Sequence, residues 1–85
     1  MGELSKLPNI GKVVEEQLNQ VGITTEAELK TVGAKQAWLK IQSIDETACI
    51  HRLLALEGAI CGVKKTELSV EVKAELKEFY QRNQK

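Results

Sequence analysis

The sequence lacks a surplus of either charge: 12 Lys and Arg stand against 12 Asp and Glu in 85 residues, for a formal net charge of zero. Modules that hold nucleic acid by bulk attraction carry a basic excess, so any phosphate contact here has to be local. Neutrality does not arise from opposite halves, since residues 1–40 set Lys6, Lys12, Lys30, Lys35 and Lys40 against Glu3, Glu15, Glu16, Glu26 and Glu28. No apolar run approaches the roughly 18 residues of a spanning helix, and the opening MGELSKLPNIGK has no apolar stretch of the secretory kind. A cytoplasmic protein without membrane contact is the expectation.

Histidine and aspartate occur once each. His51 and Asp45 fall on one predicted helix, about 9 Å apart along its axis and on different faces, too far for a base and its orienting group. Cys49 and His51 diverge in the same way. Cys49 and Cys61 would lie roughly 18 Å apart on that helix, beyond the Cα span of about 7 Å that a disulfide tolerates, and they read as buried thiols acting as small hydrophobes. Metal-ligand spacings and a glycine-rich nucleotide loop are missing as well. The adjacent Glu15 and Glu16 point apart on a helix, and so small a chain has little means of desolvating them. The expectation is a protein with no catalytic residues, metal, cofactor or small-molecule substrate, and hence no enzyme.

What is present is helical punctuation. A chain of this length hides only about 60–65% of its unfolded surface, which leaves room for a single domain over residues 1–85 and one core. A short helix near Glu3 to Lys6 must stop at Leu7, ahead of the one proline. Val14, Leu18 and Val21 then mark one apolar face, Thr25 and Glu28 form a capping box, and Ala34, Ala37, Trp38 and Ile41 mark another face. The segment Asp45 to Gly62, with Ser43 or Asp45 as its cap, is apolar around most of its circumference and is predicted to be the buried central helix. Its stripe Ala55, Gly58, Ala59 and Gly62 suggests that another backbone comes close, from this chain or a second copy, because a helical glycine costs about 1 kcal/mol relative to alanine. Ser69 caps a last helix with Val72, Leu76, Phe79 and Tyr80 on its inner face and mixed charges outside, and residues 1–3 and 81–85 are expected to fray. The fold class is all-α: a compact bundle of five to six short helices.

The segment LSKLPNIGKVVEEQL, Leu4 to Leu18, resembles a helix-hairpin-helix motif. Pro8 supplies the fixed φ of a turn and Asn9 tolerates the positive φ that follows. The resemblance implies that the amides near Gly11, Lys12 and Val13 face a nucleic-acid phosphate, with Lys12 as the charged arm and Lys6 as a second. The free first amides and dipole of a helix N-terminus suit that role, which reads phosphate and not bases. Asn9 stands where the usual hairpin has its first glycine, which would bring a side chain toward the ligand.

Over Leu4 to Tyr80 the chain is similar to the C-terminal domain of the TfoX (Sxy) competence-regulator family. The resemblance rests on Leu7-Pro8-Asn9-Ile10-Gly11, Gly22-Ile23 with Glu28-Leu29, Gly33-Ala34 and the Leu-Glu-Gly-Ala run at 56–59. It implies a bacterial helical domain linked to competence and transcriptional control, in regulators that also carry an N-terminal domain. The Gly22 to Leu29 stretch also resembles the C-terminal domain of the RNA polymerase α subunit. Two roles follow as alternatives: a regulatory module that touches DNA or RNA backbone through the hairpin without sequence preference, or a homodimerisation or docking module for a larger regulatory protein, with no nucleic-acid role.

Overall fold

Local signals start and stop most of the helices. The computed structural model describes residues 4–83, so Glu3 of the expected first helix and the end of the expected frayed tail lie outside the described residues. A single 3-10 turn spans Leu4–Lys6, followed by helices α1 (Lys12–Gln20), α2 (Glu26–Val32), α3 (Ala34–Ile44) and α4 (Ile50–Cys61). A second 3-10 turn, Lys65–Glu67, leads into α5 (Val70–Asn83). The described residues contain no strand, and the all-helical expectation holds.

Thr25 caps α2 as its sequence foretells: its hydroxyl accepts from the Glu28 amide, and the Glu28 carboxylate accepts from the Thr25 amide. Ser69 likewise accepts from the Val72 amide at the start of α5. Between α2 and α3 one residue turns the chain, Gly33, at a φ of 87° that a side chain would oppose. The last helix continues through residues 81–83, farther than its apolar pattern suggests. Its end is held because the Asn83 carbonyl accepts from Gln42 Nε2 at 3.0 Å.

The core is one cluster drawn from every helix, with Leu18, Leu29, Trp38, Ile41, Leu53, Leu56 and Leu76 at its centre. Each such aliphatic side chain contributes about 1.5–3 kcal/mol of transfer free energy. Helix α4 occupies the middle, against α3, α5, α2 and the second 3-10 turn, as its all-round apolar sequence requires. The expected start of this helix needs correction. α4 begins at Ile50, not Asp45, because the Asp45 carboxylate captures the Thr47 amide at 2.9 Å in a local turn that leaves residues 45–49 outside the helix. The burial expected of α4 is observed: the exposed large hydrophobics among the described residues are Val13, Ile44 and Val70, all elsewhere.

Candidate nucleic-acid interface

The turn between the first 3-10 turn and α1 is built in three steps. The Leu7 amide donates to the Leu4 carbonyl at 3.0 Å, and the Ile10 amide donates to the Leu7 carbonyl at 3.3 Å. Asn9 takes a φ of 68°, the left-handed conformation that asparagine accepts more readily than most residues. Leu4 and Ile10, both buried, fasten the two limbs to the core. Gly11 is extended and serves as the N-cap of α1 without offering a side chain, so no side chain caps the helix's first amides. Those amides have no intrahelical partner by construction, and Gly11, Lys12 and Val13 are all exposed. Lys6 is exposed on the other limb. The corner thus has an exposed lysine on each limb, Lys6 before the turn and Lys12 after it.

The acidic residues just beyond the turn behave differently from each other. Glu15 is buried, and its carboxylate accepts from the Ser5 amide at 3.1 Å, which ties α1 back to the 3-10 turn. Glu16 is exposed. Asn9 also departs from the expectation that its side chain approaches a ligand. Its Nδ2 donates to the Val63 carbonyl at 3.0 Å, and its Oδ1 accepts from the Lys65 amide at 3.0 Å, so the side chain is spent on the loop after α4.

That pair of hydrogen bonds accounts for the small-residue stripe. Ala55, Gly58 and Ala59 are buried, while Gly62 is the exposed left-handed cap of α4. A Cβ on Gly58 would sit 2.4 Å from Asn9 Nδ2, 2.8 Å from the Val63 carbonyl oxygen and 3.2 Å from the Lys65 nitrogen. The close neighbour of Gly58 therefore belongs to this chain, not to a second copy. Sequence reasoning missed the consequence that Lys64 and Lys65 are brought beside the hairpin. Its one signal was a glycine inside a helix.

Asp45 lies away from the hairpin. Asp45 accepts from Thr47 Oγ1, from Gln17 Nε2 at 2.7 Å, from the Thr47 amide and from Arg52 at 2.9 Å, and these bonds hold its carboxyl far below the ordinary value of 3.8. It is a junction between α1, the 45–49 loop and α4, and its ionic partner is Arg52, not His51, which is exposed. Cys61 is exposed, contrary to the reading of buried thiols. Partial covering of its sulfur and the Glu57 carboxylate push the thiol up. Among the described residues no three His, Cys, Asp or Glu side chains are grouped to hold a metal ion, and no helix is long and apolar enough to cross a membrane.

Residues 1–80 match the family described as the TfoX C-terminal domain. The chain is similar to Protein Sxy of Escherichia coli K12, with 36% identity over 76 residues, which cover 89% of this chain. It spans only 36% of the length of that relative. Two Listeria monocytogenes crystal structures, one triclinic and one tetragonal, each share 49% identity and a TM-score of 0.92 with it. The triclinic match covers 93% of this chain and 90% of that one, and the tetragonal match 94% and 98%.

Proposed function

The chain belongs to the TfoX C-terminal domain family, and from that footing we propose that it is a non-enzymatic regulatory module, of the kind linked to competence, that touches the DNA phosphate backbone through its hairpin, weakly and without sequence preference. The observation that carries this reading is the uncapped start of α1. Gly11, Lys12 and Val13 are exposed at the positive end of a nine-residue helix, and Lys6 is exposed on the other limb of the hairpin. A phosphate there would accept from amides that have no other partner and would meet about half a unit of positive charge from the helix dipole. The contact is small and the chain is neutral overall, so affinity has to be modest.

Fluorescence anisotropy with a labelled duplex tests the reading. Binding should appear at about 50 mM salt and weaken by 200 mM with a shallow slope, near 0.9 log unit per log of salt for each phosphate neutralised. Lys12→Glu should weaken it at every salt concentration. Absence of binding at the lowest salt would overturn the reading. One observation favours a protein-docking or homodimer surface instead: Val13, in the same first turn, is 62% exposed and offers a phosphate nothing but its amide. Sedimentation of a species heavier than 9.4 kDa, together with no DNA binding, is the outcome that reading requires.

A further inference from the structure

The cations of this chain divide into two groups by what they touch. Lys30 pairs with Glu26, Lys35 with Glu75, Arg52 with Asp45 and Arg82 with Glu78, and Lys73 donates to the Thr66 carbonyl. Lys6, Lys12, Lys64 and Lys65 make no ion pair among the described residues, and the same holds for Lys40 on α3 and Lys77 on α5. Four of these unpaired cations are thus on the hairpin or in the loop that Asn9 draws against it. Of the acids in the same region, Glu15 is buried, Glu16 is exposed, and Glu67 accepts from the Lys64 amide.

The loop is fixed and not merely nearby. The two Asn9 hydrogen bonds fall on the residues either side of Lys64, and the Lys64 amide donates to Glu67 Oε1 at 3.1 Å. The backbone from Val63 to Lys65 is therefore pinned at three points. The Lys64 side chain is left exposed and that of Lys65 half-buried. Pro8 and Asn9 form one wall of an open groove of about 620 Å³ whose other wall includes Lys64, Lys65 and Glu67. Glu67 is the one acid in that lining, and its carboxylate accepts from the Lys64 amide.

We propose that Lys64 and Lys65 are a second phosphate-binding arm, held beside the hairpin by Asn9, so that a duplex backbone contacting the start of α1 continues along the Pro8–Lys65 groove. This rests on the hairpin reading above and extends it from one phosphate contact to a short track. Charge complementarity selects the occupant: a polyanion with regularly spaced charges can meet Lys64 and Lys65 on one wall of the groove and Lys6 and Lys12 on the hairpin, which an isolated anion would use only in part. Asn9 is a positioning residue in this arrangement, acting through the loop it holds.

The test compares variants of equal charge change in the duplex-binding assay. Lys64→Glu/Lys65→Glu should lose at least about tenfold in affinity at 50 mM salt and shed about 1–2 from the salt slope, as expected for one or two lost phosphate contacts. Lys40→Glu/Lys77→Glu alters net charge identically at positions away from the groove and should lose less than about threefold. Circular dichroism checks that both remain folded. If the two double variants lose affinity equally while Lys12→Glu still weakens binding, the arm is disproved and the hairpin reading stands. If Lys12→Glu is also without effect, both fall.

Discussion

At the scale of single residues, Gly58 and Asn9 form the contact on which the hairpin's placement depends. A glycine inside a helix gives up as much as about 1 kcal/mol against alanine, so alanine here would be stabilising if space allowed. Space does not allow it, because the added Cβ would lie 2.4 Å from Asn9 Nδ2 and 2.8 Å from the Val63 carbonyl oxygen. The first neighbour is a side chain that can swing away, but the second is backbone. Gly58→Ala should therefore destabilise the domain by about 1–3 kcal/mol, the usual range for overpacking, despite its better helix propensity. Urea unfolding measures this, and an unchanged or raised midpoint would show that the loop yields freely. Combining it with Asn9→Ala should recover part of the loss, since the two changes act on one contact and are not additive. The sequence disclosed that something approaches Gly58, because propensity is local. It could not disclose what, because Asn9 and Val63 lie 54 positions apart.

At the scale of elements, the legible features are those whose partners are neighbours in sequence. The Thr25 and Glu28 box and the Ser69 cap span three positions each and were readable. The start of α4 was not, because Asp45 suits an N-cap as well as the turn it forms, and its Gln17 partner sits 28 positions away on α1. Asp45 thus fastens α1 to the loop before α4, with consequences for pH. Its carboxyl is lowered from 3.8 by Thr47, Gln17 and Arg52, so the ionised form is the one the fold favours. The stability this contributes is fully present above the ordinary aspartate value and drains away as pH falls through it toward the lowered one. Asp45→Asn should lower Tm at pH 7, and the gap between the two proteins should narrow as pH is taken from about 5 to 2. Parallel Tm curves across that interval would show that the carboxylate's bonds contribute no net stability.

At the scale of the whole molecule, the helices share one core and none can be removed without opening it. Leu76 is the buried residue of α5. Beside it Phe79 and Tyr80 meet the edge of Trp38 at centroid distances of 6.2 and 5.5 Å. Trp38 is fully buried on α3, and its Nε1 donates to the Cys49 carbonyl at 3.2 Å, so its fluorescence reports on the junction of α3, α4 and α5 together. The general plan of this core was readable from helical periodicity, because burial follows the apolar face regardless of which helix covers it. Leu76→Ala should cost about 2–5 kcal/mol. A domain of this size has only about 4–13 kcal/mol in all, at 0.05–0.15 kcal/mol per residue, so the variant should sit near the edge of folding. For both proteins, urea transitions followed by Trp38 fluorescence and by helical circular dichroism should share one midpoint, since exposing the tryptophan means dissolving the cluster that the other helices pack on. A fluorescence change that precedes the loss of helix would mean that α5 peels off a self-sufficient remainder, and that the core is two units instead of one.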